Sequence, residues 1–320
     1  MALNNGKWKF GTAGDNHFDM IADQLNPFDV ADNYSSGAGD DTVFGSFVDN
    51  EILLGSGNDW ANGRWGNDSI YGGDNSDTIY GDAGIDWLYG QVGRDTLRGG
   101  DDSDHLFGGS ENDELSGDDG VDALDGGTGS DKLYGGNDAD KLSDGSSDGT
   151  FDVLDGGAGA DTLTSSGGGD QMAGGSGSDL FSIGDGAAFA AAGGTISGGT
   201  ETDTLVLRSL TDMSSFSFAM SIEKFNLQAA SSQTLRFDFD EVRDLSSTDK
   251  LLIFGGSEDR IVLDNNVAGD ALDGGRWVSG ALGSPDSNGQ QLQTWSYRDA
   301  SGDYTGIEIT LHSHIDVDLI

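Results

Sequence analysis

The chain has 320 residues, 57 acidic and 15 basic, and its formal net charge at pH 7 is −42. A surface this acidic repels nucleic acids and anionic membranes, which are therefore poor partners. The absence of cysteine excludes disulfides and thiolate metal sites, and no apolar run approaches the roughly 18 residues of a transmembrane helix.

Residues 1–35 are predicted to form a cap with degenerate repeats. Asn16 and Phe18 stand where the following repeats place an acid and a core residue, and Asp32 with Tyr34 keeps that spacing without the glycines. The terminal units of repeat proteins are often atypical because they face water instead of another unit.

A nine-residue repeat with the consensus GGxGxDxUx, where U is a large apolar residue, occupies residues 36–185. Aspartate fills the sixth position in fifteen of sixteen registers, Asn50 fills the other, and three inserted residues precede Asp152. These aspartates are Asp41, Asp59, Asp68, Asp77, Asp86, Asp95, Asp104, Asp113, Asp122, Asp131, Asp140, Asp152, Asp161, Asp170 and Asp179. Solvated turns alone would not hold so long a register.

An apolar residue follows two positions after each acid and is predicted to form the core. The set is Val43, Ile52, Ala61, Ile70, Ile79, Leu88, Leu97, Leu106, Leu115, Leu124, Leu133, Leu142, Leu154, Leu163, Met172 and Phe181. Successive glycines favour turns, and the triplet around each apolar residue suits a short strand. Two units then make one coil, and stacked coils form two parallel sheets with the apolar residues between them.

Stacking of this kind places aspartates that are eighteen residues apart, such as Asp59 and Asp77, in one column. Neighbours in a column lie one coil step, about 4.8 Å, apart. Two unit charges about 5 Å apart repel by roughly 3 kcal/mol at an effective dielectric constant of about 20. The columns therefore need a counter-cation between successive coils.

Carboxylates and turn carbonyls offer only oxygen ligands in flexible loops, which favours multiple Ca²⁺ ions over Mg²⁺ or Zn²⁺. The fifteen aspartates are the predicted ligands. Extracellular modules of this sort bind at about 10⁻⁴ to 10⁻³ M, so we expect the chain to fold outside the cell and not inside it. The loops before Asp152 and Asp170 contain serines where glycines are expected.

Residues 186–194 predict a small-residue linker, and residues 195–320 predict a smaller, antiparallel β-rich domain. Short alternating apolar runs, for example Thr204–Leu207 and Ile307–Leu311, read as its strands. The predicted fold class is therefore all-β, a parallel roll followed by antiparallel strands.

The repeats from Gly37 to Asp179 resemble those of the RTX family, the haemolysin-type calcium-binding nonapeptide repeats. The resemblance implies a right-handed parallel β-roll with Ca²⁺ bound in the turns between coils. It also implies type I secretion, directed by an uncleaved carboxy-terminal signal, and an extracellular or cell-surface location. The tail Ile315–Ile320 is similar to such signals, and the amino end shows no signal peptide of the general pathway.

Residues of the carboxy-terminal part, including Ile222–Phe225 and Asp259–Leu263, resemble the terminal module of large RTX surface proteins and adhesins. In its layout, repeats almost from the first residue followed by a small domain, the chain also resembles a rhizobial secreted nodulation protein.

Catalytic motifs are not evident in the sequence. It contains neither an HExxH zinc helix nor a GxSxG nucleophile elbow, and the repeats and terminal module occupy nearly the whole chain. Of the four histidines, His312 and His314 could share a strand face as a transition-metal pair, although ordinary exposed residues have the same spacing. We do not expect an enzyme.

Aromatic residues recur at outward strand positions. Tyr71, Tyr89 and Phe107 are eighteen residues apart and should stack on one face, with Trp87 beside them. Tyr80, Arg98 and Tyr134 should lie on the opposite face. Such a column either stiffens the sheet as a cross-strand ladder or forms a docking face for a sugar, another copy of the chain or a cell surface.

The sequence therefore favours a secreted, non-enzymatic calcium-binding protein with a structural or adhesive role. A self-assembling surface-layer or matrix component is an alternative within that class. A membrane-active pore factor and a polysaccharide-processing enzyme are alternatives from other classes.

Overall fold

The computed structural model describes residues 8–19, 33–185, 188–189 and 192–207, and from there onward the strands alone, without their side chains. Residues 1–7 and 20–32 of the predicted cap lie outside the described residues. The chain divides into two compact units, Met1–Thr162 and Leu163–Ile320. The described elements are strands, except for a helical turn at residues 188–189.

Strands of the first unit alternate between two parallel sheets. Sheet A contains, in spatial order, β1 Trp8–Phe10, β3 Asn33–Ala38, β5 Glu51–Ser56, β7 Ser69–Asp74, β9 Trp87–Val92, β11 His105–Ser110, β13 Ala123–Thr128 and β15 Lys141–Gly145. Sheet B contains β2 His17–Asp19, β4 Thr42–Phe44, β6 Trp60–Trp65, β8 Thr78–Ala83, β10 Thr96–Asp101, β12 Glu114–Asp119, β14 Lys132–Asn137 and β16 Val153–Ala158.

The register between neighbouring strands follows the repeat. Leu97 lies opposite Ile79 on one side and Leu115 on the other, so equivalent residues of successive coils stack. All sixteen predicted core residues are buried, the most exposed of them at 2 %. The predicted parallel β-roll is therefore confirmed, and its core is one apolar side chain from most strands, with a second, Leu54, from β5.

Most of these strands have two inward positions, two residues apart. The apolar core residue fills the first, and in most strands glycine fills the second. Glycines also form the tight turns. Gly73 has a φ of +118°, and a Cβ at this position would collide with the carbonyl group of Gly55 in the preceding coil. Glycine adopts that conformation without strain and leaves room for so close an approach of two backbones. The glycine-rich half of each repeat thus lets the coils stack closely.

The second unit contains parallel and antiparallel strands. They are β17 Thr162–Ser165, which begins at the unit boundary, β18 Gln171–Ser176, β19 Leu180–Ile183, β20 Thr195–Thr200, β21 Thr204–Leu207, β22 Ser217–Phe218, β23 Lys224–Leu227, β24 Thr234–Phe237, β25 Lys250–Phe254, β26 Arg260–Leu263, β27 Arg276–Leu282, β28 Leu292–Arg298, β29 Tyr304–His312 and β30 Asp316–Leu319. Antiparallel pairing joins β27 to β28 and β28 to β29.

Strand direction after residue 195 differs in part from the expectation of antiparallel pairing. β20 pairs in parallel with β18, β21 with β19, and parallel pairs continue to β23, β25, β26 and β30. Residues 195–207 repeat the coil because Ile196 and Leu205 fill inward positions and are buried. The all-β class with a parallel roll and later antiparallel strands is confirmed, whereas the domain boundaries at 35, 185 and 194 remain predictions.

The described residues contain no helix long and apolar enough to cross a membrane.

Candidate metal sites

The aspartates of the first unit form two buried columns that are linked through the backbone. Asp86 illustrates the arrangement: its Oδ1 accepts the backbone N–H of Asp68 at 2.7 Å, while its own N–H donates to Oδ1 of Asp104 at 2.7 Å. One column contains Asp41, Asp59, Asp77, Asp95, Asp113, Asp131 and Asp152, and the other contains Asp68, Asp86, Asp104, Asp122, Asp140 and Asp161.

The second carboxylate oxygen of most of these aspartates differs from the first. In eleven aspartates Oδ2 is buried and accepts no hydrogen bond from any described residue: Asp41, Asp59, Asp68, Asp77, Asp86, Asp95, Asp104, Asp113, Asp122, Asp131 and Asp140. Leaving a buried carboxylate oxygen without a donor or a cation is strongly unfavourable. The columns therefore require positive charge at Oδ2.

Backbone carbonyl oxygens approach the same places. A Cβ at Gly81 would collide with Oδ2 of Asp86 and would lie 2.7 Å from the carbonyl oxygen of Gly99, one coil further along. A carboxylate and a carbonyl oxygen thus lie beside the same glycine with no donor between them. The same arrangement occurs at Gly63, Gly72, Gly90, Gly99, Gly108, Gly117 and Gly135.

The pKa values of the column aspartates agree with the absence of a hydrogen-bond donor at Oδ2 among the described residues. Burial raises the pKa of Asp68, Asp77, Asp104 and Asp113 to about 8, and like-charged carboxylates add to the increase. Burial raises the pKa to about 7 at Asp86 and Asp140, and to about 6 at Asp59, Asp95, Asp122 and Asp131. Each carboxylate must therefore gain a proton or a cation to remain in the folded roll near neutral pH.

A divalent cation fits this donor set. Carboxylate and carbonyl oxygens that converge from turns of successive coils are the ligands that Ca²⁺ takes in numbers of six to eight, at variable geometry. The oxygens offered here are anionic or carbonyl, which suits a hard cation better than Zn²⁺. The residues present thus support the predicted ligands at eleven of the fifteen positions, through their Oδ2 atoms.

The other four predicted ligands are buried as well. Asp152 and Asp161 each accept the N–H of the preceding aspartate of their column. In the second unit, Oδ2 of Asp170 accepts a hydrogen bond from Ser165 Oγ at 2.6 Å, and Asp179 donates its N–H to Asp203. Ser165 therefore makes Asp170 different from the aspartates whose loops contain only glycine at that point.

Sequence reasoning missed two buried acids. Asp203 is fully buried and accepts the N–H of Asp179 at 2.9 Å, as an aspartate of a repeat does. The signal is present in Gly198–Leu205, where Glu201 takes the place of the third glycine and adopts a φ of +82°. Asp144 fills an inward strand position at which most other coils have glycine. No feature of the nine-residue pattern marks it.

Outward aromatic residues form the expected column on sheet A. The rings of Tyr71 and Tyr89 stack at 4.7 Å, and those of Tyr89 and Phe107 at 5.0 Å. Trp87 packs on His105 with ring centroids 4.0 Å apart. These contacts confirm the predicted cross-strand ladder, and Tyr80 and Arg98 lie on sheet B as expected. Whether His312 and His314 share a strand face stays open, because His314 lies outside the described residues.

Replacing one aspartate of a column by asparagine tests whether its Oδ2 binds a metal ion, because the asparagine keeps the size and the Oδ1 acceptor of the aspartate. In Asp104→Asn, Oδ1 can still accept the N–H of Asp86, whereas the new amide can donate to the nearby Gly117 carbonyl. We expect the variant to need a severalfold higher calcium concentration to fold, because the charge of the ligand set tunes calcium affinity and the variant has one carboxylate fewer. Circular dichroism during a calcium titration measures the midpoint.

Glu114→Gln is the matched control because it removes the same charge from an exposed position in the next strand of sheet B. Its calcium midpoint should equal that of the parent. Equal midpoints for Asp104→Asn and the parent would show that Asp104 does not ligate.

The repeat region matches a family of known proteins. Residues 44–79, 54–88, 80–115, 116–143 and 146–181 match a family model described as the RTX calcium-binding nonapeptide repeat. No curated protein matches the chain. The matched residues contain most of the aspartates and glycines that converge in the two columns.

Proposed function

Because the repeat region of this chain belongs to the RTX calcium-binding nonapeptide repeat family, we propose that the protein is a secreted structural or adhesive scaffold that calcium folds outside the cell. One observation carries the proposal: eleven buried carboxylate oxygens without a hydrogen-bond donor among the described residues. Protein groups of the described part satisfy every Oδ1 of these columns, so the remaining Oδ2 atoms are available for cations.

The chain prepares each site through its own backbone. The N–H of Asp68 holds the Asp86 carboxylate through Oδ1 and leaves Oδ2 beside the Gly99 carbonyl. The missing side chain of Gly81 provides the space between the oxygens. Calcium, when bound, supplies the positive charge that these buried oxygens need. Folding and ion binding are therefore one equilibrium, as in other small metal-dependent folds.

A calcium titration tests this function. In a chelator at neutral pH, we expect the full chain to have a large hydrodynamic radius and little β-structure by circular dichroism. Addition of calcium should compact it with a midpoint of about 10⁻⁴ to 10⁻³ M, the range of extracellular calcium modules. Magnesium at equal concentration should fail, because it demands octahedral geometry and gives up its waters reluctantly.

Sodium chloride at matched ionic strength is the control for simple charge screening, which acts over about 10 Å at 0.1 M salt. Identical radius and circular dichroism with and without calcium would contradict the proposal. Full compaction by sodium chloride alone would show that screening, and not ligation, folds the chain.

A calcium midpoint in this range would restrict folding to the outside of the cell, where calcium is more concentrated. Export by the type I route and a location at the bacterial surface are typical of RTX proteins and belong to this proposal. A self-assembling surface layer is the main alternative, and imaging of calcium-treated protein distinguishes the two: a lattice or filament indicates an array, whereas a monomer excludes it. No observation among the described residues favours a pore factor or an enzyme.

A further inference from the structure

A cavity of about 500 Å³ opens on the outer side of sheet B, in the first unit. It crosses strands β4, β6, β8 and β10, and its lining includes Phe44, Asn62, Arg64, Trp65, Asp82 and Asp101. We call it the sheet B groove. None of the buried aspartates of the two metal columns lines it, so it is separate from the candidate metal sites.

Aromatic rings form one part of the groove surface. Trp65 is 50 % exposed and stacks on Phe47, which is 53 % exposed, with ring centroids 4.7 Å apart. Phe44 contacts Trp60 at 4.8 Å between centroids. The two stacked rings place an exposed apolar surface at the Trp65 side of the groove, and a cluster of exposed apolar groups is a feature of ligand-binding sites.

Fixed polar groups form the other part. Arg64 makes a two-pronged ion pair with Asp19, at 2.9 and 3.2 Å, and also donates to the carbonyl of Gly45 at 3.1 Å. Asn62 donates to Asp82 Oδ2 at 2.8 Å, while its own Oδ1 is buried and accepts no hydrogen bond from a described residue. The groove thus presents polar groups whose orientation is fixed by hydrogen bonds within the chain.

Two of these side chains occupy backbone positions that favour glycine. Arg64 and Asp82 are register partners with φ values of +76° and +71°. Gly100 holds the equivalent position in the next coil. A side chain in the left-handed region is strained, and such strain is concentrated at binding sites. Gln91, Asp118 and other non-glycine residues of the roll also have positive φ, so this strain does not by itself mark a binding site.

Charge narrows the class of ligand. Asp82, Asp101 and a net charge of −42 repel anions, while Asp19 already neutralises the Arg64 guanidinium. A neutral molecule with many hydroxyl groups suits the groove, because hydroxyls donate to the Asp82 carboxylate and accept from the Arg64 guanidinium. Its C–H face would cover the Trp65 ring.

We propose that the sheet B groove binds a neutral saccharide. The site deepens the adhesive role proposed above, on which it rests, by naming the class of molecule that the scaffold holds. Apolar ring faces next to a few oriented polar groups are the general composition of sites for small ligands.

The test uses the full calcium-loaded chain and three neutral probes, cellohexaose, maltohexaose and N-acetylchitohexaose. Isothermal titration calorimetry and tryptophan fluorescence should show binding of at least one probe, with a Kd of about 1 mM or tighter. Hexagalacturonate and choline serve as anionic and cationic probes, and neither should bind. Failure of all three neutral probes, or tighter binding of either charged probe, would overturn the proposal.

Two variants locate the site. Trp65→Ala should weaken binding by about tenfold, the effect of losing about 1.4 kcal/mol. Asp82→Gly should weaken binding to a similar degree without lowering the thermal midpoint, because glycine accepts the positive φ. Tyr134→Ala removes an exposed aromatic residue from sheet B outside the groove and should leave binding unchanged. Equal losses in Tyr134→Ala and Trp65→Ala would place binding elsewhere.

Circular dichroism accompanies each titration. A chain that fails to fold with calcium contradicts the scaffold function, whereas a folded chain that binds no neutral probe contradicts only the saccharide site.

Discussion

Without calcium, we expect the roll formed by the repeats to be compact near pH 4 and expanded near pH 9. In the folded roll, burial raises the pKa of Asp68, Asp77, Asp104 and Asp113 to about 8, above the ordinary value of 3.8. Protonation then removes the negative charge of each carboxylate, which calcium would otherwise balance. The effect is large because at least ten columnar carboxyls show a pKa of about 6 to 8.

The sign of the pH dependence follows from the raised pKa values. A folded state with the higher pKa binds more protons than the unfolded state, so its stability falls as pH rises. The stabilisation is complete below about pH 4, the pKa of aspartate in an unfolded chain. It is lost as the pH passes through about 6 to 8, the pKa values of the folded columns.

Circular dichroism and hydrodynamic radius, measured in chelator across this pH range at constant ionic strength, provide the test. With saturating calcium, the same scan should stay compact at neutral and alkaline pH, which serves as the control. A calcium-free chain that is equally expanded at both ends of the range would show that the carboxylates do not govern folding.

Gly81→Ala is expected to abolish one ion site and to destabilise the calcium-loaded roll. The added methyl group would collide with Oδ2 of Asp86 and lie 2.7 Å from the Gly99 carbonyl oxygen. Overpacking of this kind costs about 1–3 kcal/mol, and displacement of both oxygens also removes the calcium ligation between two coils. Calcium stoichiometry and the thermal midpoint in calcium should both fall.

Gly14→Ala is the matched control, since a Cβ at Gly14 has no atom within 4 Å. It should retain the parent's stoichiometry and midpoint. If Gly81→Ala bound as many ions as Gly14→Ala, the space beside Gly81 would not be part of a metal site.

The period of the sequence was sufficient to predict the roll and its columns. Spacing alone placed Asp86 two residues before the buried Leu88 and aligned it with Asp68 and Asp104, as the structure has them. Such a prediction succeeds because every coil repeats one local conformation. A wrong register at one repeat would have shifted the predicted position of every later repeat.

Features that depend on departures from the repeat were not predicted. Asp203 escaped notice because Glu201 replaces the expected glycine, although its backbone adopts the glycine-like φ. The sheet B groove joins residues of four strands, and only the register between coils brings Phe44, Asn62 and Asp82 to one place. Parallel pairing after residue 195 likewise depends on contacts that the nine-residue pattern no longer marks.

The approach of the Gly99 carbonyl to Asp86 has a consequence for growth of the roll. An ion held by Asp86 and the Gly99 carbonyl would join two successive turns, so each coil would depend on its neighbour for a complete site. Folding of a solenoid can begin at any repeat and spread to its neighbours. A lone turn of this chain would therefore gain little from calcium, whereas every coil added to an existing pair would gain a full site.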